Sequence, residues 1–143
     1  MSDRTAQTLP RLVFLLLSAE RSVRRWIDAR AGDTGIGAAG AGVLFHLAAH
    51  DGALIGDVTT ALGASASGMS GLVARLEKSG CVTRTPDPAD ARAARLHLTP
   101  KGRAAVAASR AVVDDLNSRL TEGFTPAEME VVARWLAHGA RIL

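Results

Sequence analysis

Apolar positions recur along this chain with two different periods. From Leu9 to about Ala31, Leu9, Leu12, Val13, Leu16, Leu17, Val23, Trp26 and Ile27 form a helical stripe. Phe14 and Leu15 widen it, so both sides of the first half of this long helix are apolar. The residues before it, Met1 to Thr8, read as a loose tail. A glycine-rich linker follows, with Gly32, Gly35, Gly37, Gly40 and Gly42 between Ala31 and Gly42. It leads into a second helix from about Ala38 to His50. Glycines inside that helix each cost about 0.5–1 kcal/mol against alanine, so its start is expected to be soft or tightly packed. Leu54 to Leu62 reads as a short third helix with Asp57 in its first turn, and Gly63 makes the turn after it.

A fourth helix is predicted from Ala66 to Ser79. Met69, Leu72, Val73 and Leu76 fall at i, i+3, i+4 and i+7. Ser65 stands where a cap is needed, and Gly80 where a left-handed stop is. The period then changes to two. Val82 and Arg84, then Leu96 and Leu98 flanking His97, fit two short strands. The segment between them, Pro86 to Ala93, reads as a charged loop because P-D-P disfavours both helix and strand. Thr99-Pro100 opens a helix to about Leu120. Thr125-Pro126-Ala127-Glu128 has capping-box spacing and opens a last helix carrying Met129, Val132, Trp135, Leu136 and Ile142. The expected fold is mainly α with a small β-wing. A helix followed by a two-stranded hairpin with a charged tip is a winged helix.

At 143 residues the chain is one domain by length. Three Phe, two Trp and no Tyr leave a core of Ala, Leu and Val, which suits helices. One cysteine, Cys81, excludes an internal disulfide and a cysteine-rich metal cluster. The apolar run Leu12 to Leu17 is too short to span a bilayer and no cleavage pattern follows it, which points to a cytoplasmic protein with no membrane partner. Charge is uneven. Residues 65–103 hold seven basic side chains and three acids, a net +4 in a chain whose total is +3. Such a local excess is the footprint of a polyanion-binding surface, although a solvated face has the same signature.

The run L-x-x-L-E-K-S-G-x-V-x-R from Leu72 to Arg84, D-P-x-D-x-R from Asp87 to Arg92 and L-x-L-T-x-K-G from Leu96 to Gly102 resembles the MarR family of bacterial transcriptional regulators. The resemblance extends more loosely from about Ile36 to Ala108. It implies a homodimer with one winged helix-turn-helix lobe per subunit, binding double-stranded DNA at a near-palindromic operator. Residues 36–102 would form the DNA-binding lobe, and residues 9–31 and 103–143 the dimerisation helices of a single domain. The wide stripe of the first helix agrees, because one lobe offers too little surface to bury both of its sides.

A helix fits the major groove, and its N-terminal residues reach base edges. Ser65, Ser67, Gly68, Ser70 and Gly71 are therefore the candidate groove contacts, and Arg75 a phosphate contact. Family members often carry larger polar residues where Gly68 and Gly71 stand, so direct readout here is expected to be weak and DNA shape more important. Arg92 and Arg95 are the wing candidates, because a tip arginine suits a narrow minor groove. Arg84 would support them at the phosphates, and Glu77 would orient a basic group near the wing base. In the family pattern the acid corresponding to Asp90 holds the wing arginine by a salt bridge. Some relatives sense oxidants through a cysteine in the first helix with tyrosines nearby. This chain has neither, so Cys81 reads as a small buried hydrophobe.

His46 and His50, at i and i+4 with Asp51 following, have the spacing of a metal pair, but no third ligand is evident and no metal or other cofactor is expected. The resemblance suggests small aromatic or lipophilic acids as effectors, bound where the two lobes meet. Phe14, Trp26, Phe45 and His46 are the candidate lining residues; simple core packing is the competing reading for each. No Ser-His-Asp order, phosphate loop or close carboxylate pair stands out, so an enzyme is not expected. The leading reading is a DNA-binding regulator, a homodimeric repressor released by a ligand. The alternative is a winged-helix protein-interaction module without specific DNA binding.

Overall fold

The computed structural model describes residues 3–32 and 35–143, with side chains described from residue 11 onward. Its order is α1 (Asp3–Ala29), α2 (Ala38–Ala49), α3 (Ile55–Ala61), α4 (Ala66–Lys78), β1 (Val82–Asp87), β2 (Asp90–Leu98), α5 (Pro100–Thr121) and α6 (Pro126–Ile142). Six helices and one antiparallel hairpin match the expected mainly α fold with a small wing. The chain divides into two compact units, one ending at Ser109 and the other spanning Arg110–Leu143, with the boundary inside α5. No helix among the described residues is long and apolar enough to cross a membrane.

The core of the first unit is aliphatic. Val43, Leu44 and Leu47 of α2 meet Val58 of α3, Met69, Val73 and Leu76 of α4, Cys81, Val82, Leu96 and Val106. These are the inward positions of the helical and period-two patterns. Cys81 is buried among them, as its reading as a small hydrophobe requires. In the second unit Leu116 is buried, and α6 opens with the expected capping box: Thr125 Oγ1 accepts from the Glu128 N–H at 3.2 Å and the Glu128 carboxylate accepts from the Thr125 N–H at 2.8 Å.

Three expectations are corrected. First, α1 begins at Asp3, so most of the stretch read as a loose tail is helical. Asp3 puts an acid at the positive end of the helix, and no glycine interrupts the run. The side chain of Leu9 lies outside the described residues. Second, the start of α2 is tightly packed rather than soft. A Cβ on Gly40 would stand 3.1 Å from Ile36 Cγ2 and 3.6 Å from Leu76 Cδ2. Third, the strands run through most of the expected loop. Pro86 pairs with Ala94 in register, with an irregularity between Pro86 and Asp87, and only Pro88 and Ala89 lie between the strands. The physical reason is the position of β1. The main chain of Gly52 and Ala53 bonds Leu96 on the other side of β2, with Gly52 N to Leu96 O and Leu96 N to Ala53 O both 2.9 Å. That makes β2 the inner strand and leaves β1 at an edge, where proline removes no ladder bond that the sheet needs.

Candidate nucleic-acid interface

The helix-turn-helix is built by local capping. After α3, Gly63 takes φ +61°, a left-handed turn that favours glycine. Ser65 then caps α4, its Oγ accepting from the Gly68 N–H at 3.1 Å. Met69, Val73 and Leu76 are buried, so the opposite face of α4 is turned outward. Ser65, Ser67, Gly68, Ser70, Gly71 and Arg75 are all exposed. The two glycines differ. A Cβ at Gly68 would stand 2.9 Å from Ser65 Oγ and crowd the cap, whereas a Cβ at Gly71 meets nothing within 4 Å. Gly71 therefore has no packing role. The exposed face carries nothing longer than serine before Arg75, and Arg75 makes no ion pair among the described residues.

The wing is tied to this lobe by three side chains. Arg95 lies across the base of the hairpin. Its Nε donates to Asp87 Oδ1 at 3.1 Å and its Nη1 to the Gly52 carbonyl at 2.9 Å. Asp87 is only 8% exposed, so this carboxylate needs its partner. Glu77 Oε1 accepts from Arg84 Nε and Nη2 at 3.2 and 2.9 Å, which links α4 to β1. Asp51 Oδ1 accepts from the Leu98 N–H at 2.9 Å, and His97 Nε2 bonds Thr85 Oγ1 at 3.0 Å across the strands. Beyond the wing, Thr99 joins the end of β2 to α5. Its Oγ1 donates to the Gly80 carbonyl at 2.6 Å and accepts from the Gly102 N–H at 3.0 Å. A Cβ at Gly102 would collide with the Cys81 carbonyl, which is the physical reason for glycine at the end of T-P-K-G.

The wing arginines thus separate into two kinds. Arg92 is exposed near the tip and its side chain makes no ion pair among the described residues. Arg95 is half-buried and engaged by Asp87 and Gly52, and Arg84 is engaged by Glu77. Asp90 does not pair with an arginine side chain here: its Oδ1 accepts from the Arg92 N–H at 2.9 Å, an Asx turn that shapes the tip. The acid that holds a wing arginine is Asp87. Sequence reasoning missed that role because two acids, Asp87 and Asp90, lie within reach of two arginines, and spacing alone does not choose between them. Asp28 was missed too. From the end of α1 its Oδ1 accepts from the Ala38 N–H at 2.9 Å, and a Cβ on Gly37 would come within 2.6 Å of the same oxygen. The absent Ser or Thr cap of α2 is thereby replaced by a residue ten positions upstream, for which no local signal exists.

The four residues expected to line an effector site are not gathered around one cavity. Phe14 is 71% exposed on α1. Trp26 lies under Arg30, whose guanidinium carbon is 3.5 Å from the ring centroid. Phe45 packs on the core. His46 lines an open cleft of about 440 Å³ with His50, Asp51, Asp57 and Arg95, its ring 5.0 Å from that of His50. Among the described residues no group of three or more His, Cys, Asp or Glu side chains is placed to hold a metal ion.

A short helix, a glycine turn, a capped helix with an outward polar face and a hairpin braced against it define a winged helix-turn-helix protein. Residues 34–93 match the MarR family, and the chain belongs to that family through this winged helix. No curated protein sequence matches the chain. Among solved structures, a MarR-family transcriptional regulator from Rhodococcus sp. RHA1 is 28% identical over 89% of this chain and 90% of its own, with a TM-score of 0.79. Bordetella bronchiseptica BpsR, described with regulation of its DNA binding by 6-hydroxynicotinic acid, is 25% identical over 91% of this chain and 98% of its own, with a TM-score of 0.81. An Escherichia coli MarR variant complexed with operator DNA shares the fold, at 23% identity over 90% and 92% of the two chains and a TM-score of 0.81.

Proposed function

We propose that this protein is a homodimeric, sequence-specific DNA-binding repressor that a small-molecule ligand releases from its operator. The observation that carries the reading is the joint presentation of the outward face of α4 and Arg92. Ser67, Ser70 and Gly71 are exposed without a packing role that explains them, and Arg92 is an unpaired cation beyond a braced wing. In this reading α4 enters the major groove, Arg92 the adjacent minor groove, and Arg75 meets phosphate. Arg95 and Arg84 hold the wing at its angle rather than lead in contact, with Asp87 and Glu77 as their anchors. The solved relative bound to operator DNA and the ligand regulation described for BpsR support the DNA and ligand parts. The homodimer is supported by the apolar face of α1, exposed from Leu12 to Leu17, and by Trp135 and Leu136 on α6, each 44% exposed. Solvent is an unfavourable partner for so many large apolar side chains, and a second subunit removes them from it.

Titration of labelled promoter duplex at several salt concentrations tests the reading. Several phosphate contacts per dimer predict a linear fall of log K with log salt, with a slope of about −0.9 for each phosphate neutralised. No binding at low salt, or affinity independent of salt, refutes it and favours the protein-interaction module.

A further inference from the structure

We propose that the cleft between α1, the start of α2 and the end of α4 binds a small amphipathic anion, a carboxylate on an apolar body, and that the bound anion withdraws Arg75 and Lys78 from DNA. The cleft encloses about 540 Å³, within the range of small-molecule sites. Its chemistry is two-sided. Ile36, Leu72 and Leu76 supply an apolar floor, while Arg24, Arg75 and Lys78 stand around it. Arg24 shares its charge with Glu20 at 2.7 Å, but Arg75 and Lys78 have no ion-pair partner among the described residues. The acid described in the lining, Asp28, has one oxygen occupied by the Ala38 N–H. Two unpaired cations over an apolar floor leave a surface that neither a hydrated inorganic ion nor a neutral hydrocarbon satisfies. A carboxylate attached to a ring or short chain satisfies both halves, with the charge at Arg75 and Lys78 and the body on Leu72 and Leu76.

The same geometry couples the site to α4. Arg75 and Lys78 lie on the helix that presents the groove face, so an anion held in the cleft competes with phosphate for their charge. A ligand that binds the free protein better than the DNA complex shifts the population toward release. This second half rests on the DNA reading; the binding half does not.

Isothermal calorimetry of the whole protein with 2-naphthoate, in the absence of DNA, tests the site. The acid is expected to bind and the neutral 2-naphthamide to bind at least about ten-fold more weakly, a difference of about 1.4 kcal/mol. Ala39→Asp places a carboxylate in the cleft at a solvent-exposed position in the first turn of α2, where an acid favours the helix, so the variant is expected to fold and to lose naphthoate binding. Arg24→Ala, outside the groove face, is expected to weaken naphthoate without changing DNA affinity. No heat of binding to the wild type, equal binding of acid and amide, or unchanged binding by folded Ala39→Asp overturns the site. Saturating naphthoate is then added to the duplex complex at low salt. Dissociation supports the coupling and an undisturbed complex overturns it. A protein that forms no complex even without naphthoate overturns the DNA reading, and the coupling with it, while the calorimetry still decides the site.

Discussion

Arg92 and Arg95 are three residues apart and look alike in sequence, but their surroundings give opposite predictions. Arg92 projects from the tip with no partner but solvent for its charge. Arg92→Ala is expected to leave stability within about 0.5 kcal/mol of wild type, as for most surface changes, by urea denaturation. Its DNA affinity is expected to fall at least about ten-fold, or about 1.4 kcal/mol. Arg95→Ala leaves the buried Asp87 carboxylate and the Gly52 carbonyl without their donor. An unsatisfied buried polar group costs about 1–3 kcal/mol, so this variant is expected to be measurably less stable and to bind DNA more weakly through a displaced wing. Equal stability of the two variants would contradict the division of roles. The arginines themselves were legible in the sequence as wing residues. Their division was not, because it depends on Gly52, which is 43 residues from Arg95.

Elements are joined here through glycines whose roles differ sharply. Gly102 sits where the first turn of α5 touches the carbonyl of Cys81, with Leu98 Cδ2 also 3.1 Å from a built Cβ. Gly102→Ala therefore forces the helix away from the wing base, and overpacking of this kind costs about 1–3 kcal/mol or more. Gly71, in open space on the outer face of α4, is the counterpart. Gly71→Ala is expected to gain up to about 1 kcal/mol in stability from helix propensity, visible as a raised melting temperature. If the groove reading holds, the added methyl group lowers operator affinity at the same time. A stabilised variant with unchanged affinity would remove Gly71 from the contact set. The T-P-K-G string and the S-A-S-G-M-S-G string both announced helix starts correctly, since caps are local. Their glycines were indistinguishable until the neighbouring strand was in place.

At the scale of the whole molecule the expectation concerns assembly. Leu16 and Val13 are 41% and 56% exposed in a helix that otherwise has no polar outer face over Leu12 to Leu17. Replacing both by glutamate puts charges into the proposed subunit interface, where desolvation is unfavourable. Wild-type protein is expected to sediment as a dimer at micromolar concentration and the double variant as a monomer with its helices intact by circular dichroism. A monomeric wild type would remove the symmetric operator from the proposal as well, because half-site spacing follows from two-fold symmetry.

What the sequence determined by itself is everything governed by neighbours within a few residues: the helical and period-two patterns, the caps at Ser65, Thr99 and Thr125, the turns at Gly63 and Gly80, and the basic excess of residues 65–103. These follow from backbone sterics and local hydrogen bonds, and they sufficed to place the winged helix. Only the tertiary structure decided which charges are anchored and which are free. Asp28 reaches the start of α2, Asp51 reaches Leu98, Arg95 reaches Gly52, and Pro86 is accepted as strand because segment 52–54 covers the opposite side of β2. Each of these is a contact between residues distant in the chain, and a polar side chain takes its role from the partner that packing brings to it, which no local pattern encodes.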